Sequence, residues 1–177
     1  QQKWASAADA GLTADYKLSD KLSIDAQGLN GEGYKNSQGE NGLFRGGLGL
    51  TYVMSERIAL RVNRDISPRA SYGTNDAPQH ITALAVAYTG NNFNIGADKS
   101  VMTNAGNKID VKKDLLSVYG NYSIDAKYGI FARYDDVASE DNWNLENDGD
   151  YTVFGIERQM AKGVKLAINV QSWTGAK

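Results

Sequence analysis

Three arginines, Arg45, Arg61 and Arg133, sit in runs whose alternate residues are apolar. In "RIALRVNRD", Ile58, Leu60 and Val62 alternate with Ala59, Arg61 and Asn63, so charged and aliphatic side chains stand back to back along an extended chain. The same polar parity collects Lys17, Arg57, Lys127 and Lys165, together with Asp15, Asp25, Asp65, Asp98, Asp135 and Glu157. Two kinds of chemistry suit such a set. Charges around enclosed water shape its field, and rings of one sign select ions. Opposite charges on neighbouring strands instead pair and brace a wall. The two signs nearly balance, which predicts weak selectivity. Arg45, Arg61 and Arg133 are the candidates for a constriction, with Asp25, Asp135, Glu157 and Lys127 beside them. For any single one of these residues, bracing is the commoner role.

Catalytic chemistry is poorly provided for, and no enzyme is expected. The single histidine, His80, falls near Asp76 at a loop–strand junction, and nothing spaced around it resembles a triad. Asp135 and Asp136 are adjacent, so a strand points them to opposite faces. "FRGGLGL" lies within a strand pattern with no helix after it, unlike a phosphate-cradling loop. The acidic pieces "SEDNWNLENDGD" and "NSQGEN" lack the ligand order of a calcium loop. No cofactor or metal site is expected. Gly47, Gly49 and Gly155 share the polar parity and are read as making room or allowing curvature.

The elements that must position these charges are strands. The dominant hydrophobic period is two, not 3.6. Leu12, Ala14, Tyr16 and Leu18 form one apolar line; Leu22, Ile24 and Ala26 the next; then Phe44, Leu48, Leu50, Tyr52 and Met54. After the segment from Ile58 to Val62 come Leu84, Val86 and Tyr88, then Phe93, Ile95 and Ala97. Leu116, Val118, Tyr122 and Ile124 precede Tyr128, Ile130, Ala132 and Tyr134. Phe154, Ile156 and Met160, and finally Val164, Leu166, Ile168 and Val170, complete ten strands. The expectation is an all-β fold, one domain over residues 1–177, with almost no helix.

The links between strands alternate in length. "SDK", "SE", "GN", "DA" and "AKG" are tight and join antiparallel neighbours. "NGEGYKNSQGEN", "DISPRASYGTNDAPQ", "KSVMTNAGNKIDVKK" and "VASEDNWNLENDG" are long and polar, and one of them holds both prolines, Pro68 and Pro78. Tight turns on one rim and long loops on the other are the pattern of an outer-membrane barrel. Tyr16, Tyr52, Tyr88 and Tyr122 precede tight turns on the apolar side, and Phe93 and Tyr128 follow two of them. Aligned hairpins bring these six rings to one height as an aromatic girdle, the level where an apolar ring with a polar tip is favoured. A soluble sandwich also alternates but needs no such belt. The expected architecture is therefore an antiparallel transmembrane β-barrel. Arg64 and Arg158 have lipid-side parity but lie near strand ends, where they can snorkel to headgroups.

Composition is compatible with this. A net charge of -2 leaves no nucleic-acid footprint. There is no cysteine and no apolar run of membrane-helix length. Mean hydropathy is -0.48, which a barrel tolerates because its apolar residues occupy every second position. The first and last readable strands both have their outer ends on the long-loop side. Together with the ending "SWTGAK", this predicts a chain incomplete at both ends, part of a barrel of twelve or more strands.

"DYKLSDKLSIDAQGLNGEGYKNSQ", "GLGLTYVMSERIALRV", "LSVYGNYSIDAKYGIFARYDD" and "YTVFGIERQMAKGVKLAINVQ" together resemble the later part of Gram-negative porins, a group that includes phosphate-selective and general porins. The resemblance covers most of the chain and rests on strand–turn texture, with "NGEGY" its most recognisable piece. It implies a trimeric channel in the outer membrane of a Gram-negative bacterium, passing small hydrophilic solutes and contacting outer-membrane lipids. Nothing residue-specific about phosphate selectivity carries over. The other reading is a non-channel barrel, an adhesion or assembly protein that binds a partner through its long loops or outer wall. Bulky Tyr119, Phe131 and Tyr151 on the polar side favour some filling of the interior.

Overall fold

A computed structural model describes residues 10–31, 44–67 and 76–176. It contains the ten expected strands: β1 (Gly11–Lys17), β2 (Leu22–Leu29), β3 (Arg45–Val53), β4 (Ile58–Ser67), β5 (Gln79–Thr89), β6 (Phe93–Thr103), β7 (Lys112–Ser123), β8 (Tyr128–Ser139), β9 (Gly149–Ala161) and β10 (Val164–Gly175). They form one antiparallel sheet in chain order. The expected closure is not seen. Among the described residues β1 and β10 each pair on one side only, so the sheet is open.

The tight turns hold because their side chains satisfy backbone donors. Ser19 Oγ accepts the Lys21 and Leu22 N–H groups at 3.3 and 3.1 Å. Ser55 Oγ does the same for Arg57 and Ile58 at 3.3 and 3.2 Å, and Asp125 Oδ1 for Lys127 and Tyr128 at 2.7 Å each. Short oxygen-bearing side chains thus mimic a backbone turn in three of the hairpins. In the β9–β10 turn Gly163 takes φ 78°, where a side chain would be strained.

The register slopes across the sheet. Lys17, the last residue of β1, lies opposite Ser23, and its row continues through Thr51, Arg61, Ala85, Asp98, Ser117, Asp135 and Tyr151. It meets β10 at Trp173, near the far end of that strand. The climb is about one residue per strand, roughly 3.3 Å over a spacing of about 4.8 Å, a slope of roughly 35°. That slope lies at the edge of the range that barrel closure requires.

The two faces differ in exposure. Only Met102, Ala105 and Val137 are buried apolar residues among those described. Among the described residues no second layer covers the apolar face, where Leu84 is 60 % exposed, Ile168 67 % and Val170 74 %. The face is bounded at the turn end by the rings of Tyr16, Tyr52, Phe93, Tyr122 and Tyr128, all exposed, with Tyr88 half-buried and stacked on Phe93 at 5.6 Å. Towards the other end it becomes polar: Lys99 pairs with Asp114 at 2.8 Å, and Asp136 lies opposite Asp150.

The strands run further than the alternation suggested. β6 extends to Thr103 and β7 begins at Lys112, so the link expected from Lys99 to Lys113 is confined to residues 104–111. Likewise β8 absorbs Val137, Ala138 and Ser139. The shortened links fold down onto the sheet. Asn107 Nδ2 donates to the Ser67 and Ala77 carbonyls at 3.1 Å each, and Asn104 Nδ2 to Pro78 at 2.9 Å. Trp143 Nε1 donates to the Lys112 carbonyl at 2.6 Å. "NGEGY", "NSQGEN" and Pro68 lie mostly or wholly outside the described residues.

Candidate functional site on the polar face

Strand pleating sends the charged parity to one side, and the sheet then decides which charges meet. Arg61 on β4 reaches past β3 to Asp25 on β2 in a two-pronged contact, Nη1 to Oδ2 at 2.7 Å and Nη2 to Oδ1 at 2.9 Å. Its Nη1 also donates to Thr51 Oγ1 at 2.9 Å. Gly49, between the two strands, makes the pair possible: a Cβ there would stand 2.4 Å from both Arg61 Nη2 and Asp25 Oδ2. Bidentate geometry of this kind is among the stronger side-chain contacts.

Arg45 on β3 pairs with Asp65 on the adjacent β4, with both donors on one oxygen, Nη2 to Oδ1 at 2.9 Å and Nε to Oδ1 at 3.1 Å. Gln27 Nε2 adds a third donor to that oxygen at 3.0 Å. Here Gly47 leaves the room, since a Cβ would lie 2.6 Å from Gln27 Nε2. Arg133 holds Asp135 through Nε at 2.7 and 3.0 Å. Ser117 Oγ bridges this pair, donating to Asp135 Oδ1 at 2.6 Å and accepting from Arg133 Nη2 at 3.0 Å. Ser117 is 0 % exposed and Asp135 6 %, so the hydroxyl and the carboxylate are buried although they belong to the polar face. The Arg133 guanidinium also lies 5.8 Å from the Tyr119 ring centre.

All three arginines proposed for a constriction are therefore neutralised by a carboxylate, which is the bracing arrangement. Glu157 is likewise taken up by Lys165 at 2.5 Å. Lys127 departs from expectation. It lies in the β7–β8 turn rather than in a strand, because Asp125 captures its backbone N–H, and its carbonyl accepts from Gln159 N at 2.7 Å. It belongs to the rim. Asp98 stands between Ala85 and Ser117 in the cross-strand row and forms no salt bridge among the described residues. Arg133 and Asp135 are the charges that act on it from a distance.

The bulky residues lie along the wall. Tyr119 folds over Gly96, where a Cβ would meet its ring at 2.5 Å, and Phe131 over Gly155 at 2.3 Å. Tyr151 donates its hydroxyl to Gln171 Oε1 at 2.6 Å. The glycine across the ladder gives Tyr119 and Phe131 room to lie along the sheet.

One cluster escaped the sequence reading. Asp148 Oδ2 accepts from Ser139 N at 2.9 Å and from Ser139 Oγ, while Lys113 Nζ lies 3.9 Å from its Oδ1. All three residues are buried, where the link 140–148 returns to the sheet. Lys113 and Asp148 sit in polar runs without alternation, so only the buried setting marks them.

His80 is the second residue of β5, half-buried, and Asp76 pairs with Lys108 instead. Asp135 and Asp136 do face opposite ways, one buried with Arg133 and one exposed. Among the described residues no group of three or more His, Cys, Asp or Glu could hold a metal ion. Outside the strands, two backbone N–H bonds hold the Asp125 carboxyl below its ordinary range. Fold and polar face define the class: an all-β antiparallel meander with an uncovered apolar face and a braced polar one. No protein-family model matches the chain, and no curated protein matches it.

Proposed function

We propose that this chain forms the wall of a porin-like β-barrel channel in the outer membrane of a Gram-negative bacterium, through which small hydrophilic solutes or ions diffuse. The observation that carries the reading is the inverted partition of the sheet: its aliphatic face has nothing covering it, while its opposite face buries Ser117, Asp65 and Asp135. In water such a face would aggregate; against acyl chains it is at rest. Unpaired strand edges cost several kcal/mol per peptide group in hydrocarbon, so the edges of β1 and β10 must be joined, directly or through further strands. The slope of the register is of the size closure needs.

A channel rather than a filled barrel is favoured by the rings of Tyr119 and Phe131, which lie over Gly96 and Gly155 along the sheet. The paired arginines make the wall rigid and leave little net field, which suits weak selectivity. Trimeric assembly fits the same reading. Reconstitution of the full-length protein into planar bilayers tests it. Stepwise, ohmic conductance is the expected result. Silent bilayers, from a protein that inserts and is heat-modifiable, would establish the non-channel barrel.

A further inference from the structure

On the apolar face of β6–β9 the chain places small residues side by side. Gly120 of β7 lies opposite Ala132 of β8, and Ala132 opposite Phe154 of β9. With Ile95, Tyr122 and Ile130 around them, they leave a groove of ≈ 350 Å³ in the outer wall. Its lining is almost wholly apolar, and none of its residues lies on an edge strand.

At the turn end of the same face stands a cation. Arg158 lies opposite Tyr128, its guanidinium 5.4 Å from the ring centre. The adjacent carboxylate, Glu157, faces the other side and is held by Lys165. Arg158 forms no ion pair among the described residues. Its ring partner belongs to the aromatic girdle, the level at which headgroups lie. From Arg158 back to Phe154 is four residues of strand, about 13 Å, which at a slope of roughly 35° is about 11 Å of height. That reaches most of the way through one leaflet, half of the roughly 30 Å hydrocarbon core.

We propose that this groove and Arg158 together form a binding site for one anionic phospholipid of the leaflet on the turn side. The phosphate sits on Arg158 and an acyl chain lies in the groove over Gly120 and Ala132. The site rests on the membrane reading, because only then does this face meet lipid. Charge complementarity selects the occupant: an apolar groove that ends at an uncompensated guanidinium matches an acyl chain that ends at a phosphate whose charge no headgroup ammonium offsets.

The test is native mass spectrometry of the full-length protein released from mild detergent, with phosphatidylglycerol or phosphatidylethanolamine added. Phosphatidylglycerol should be retained preferentially. Arg158→Gln should weaken retention roughly fivefold, the factor that about 1 kcal/mol represents. Arg158→Lys should restore most of it, and Ala132→Leu, which fills the groove without changing charge, should weaken it independently. Equal retention by wild type, Arg158→Gln and Ala132→Leu would overturn the site. So would equal retention of the two lipids. Insertion into vesicles, measured on the same preparations, separates the two levels of inference. A protein that does not insert refutes the membrane reading, whereas an inserted protein without lipid preference refutes this site alone.

Discussion

Leu84 and its neighbour Ala85 offer a decisive pair of substitutions. Leu84 is 60 % exposed, so in a water-soluble protein Leu84→Arg would shift stability by no more than about 0.5 kcal/mol. Against lipid the outcome is different. Leu84 lies four residues from Tyr88 along β5, about 13 Å of strand. At a slope of roughly 35° this is about 11 Å of height, close to half of the 25 Å apolar band of such barrels. Leu84 then sits near the bilayer midplane, where arginine costs about 2–4 kcal/mol. The folding equilibrium should fall roughly 30- to 1000-fold. Ala85→Arg, one residue along, turns into the row between Arg61 and Asp98, where a cation has both water and a carboxylate. It should cost under about 1 kcal/mol and change conductance. Denaturant unfolding of the full-length protein in lipid vesicles, followed by tryptophan fluorescence, reads both. If Leu84→Arg proves as stable as wild type, or Ala85→Arg proves the costlier change, the assignment of faces is wrong.

Gly49→Val places a side chain where Arg61 and Asp25 meet; it should destabilise the protein by about 1–3 kcal/mol, measured by the same unfolding assay, and lose most of that cost when Asp25→Ala is added. Asp98→Asn removes a polar-face carboxylate without a salt-bridge partner and should move the reversal potential in a salt gradient towards anions, while an unchanged potential would place Asp98 outside the conducting path. Asp148→Ala strands the buried Lys113 and should cost about 3 kcal/mol, with faster hydrogen exchange in residues 140–148. The folded Asp125 carboxyl titrates below its unfolded value, so its contribution is present above the unfolded pKa and is lost as pH falls through the folded one. Asp125→Ala should therefore lower the unfolding midpoint at neutral pH and leave it nearly unchanged in strong acid.

Ten strands, their two faces and the positions of the tight turns were legible in the chain because each is a local property. Alternation at Ile58, Leu60 and Val62 needs only neighbours two residues apart, and Ser19, Ser55 and Asp125 close their turns within three residues. Strand ends on the long-loop side were misjudged for a related reason. Around Lys112 and Lys113 the apolar pattern stops, but the ladder of backbone hydrogen bonds does not depend on it and runs on.

What the tertiary structure alone decided is which charges meet. Arg61 and Asp25 are 36 residues apart and sit on strands that are not neighbours; their contact requires the register of two hairpins and the bare backbone of Gly49 between them. Parity can place an arginine on a face. It cannot choose the partner, because a long side chain reaches across strands whose offset accumulates only when the whole sheet is assembled. The same holds for Tyr119 and Phe131, whose direction depends on the glycine across the ladder, and for Lys113 and Asp148, whose burial depends on a link folding back onto the sheet.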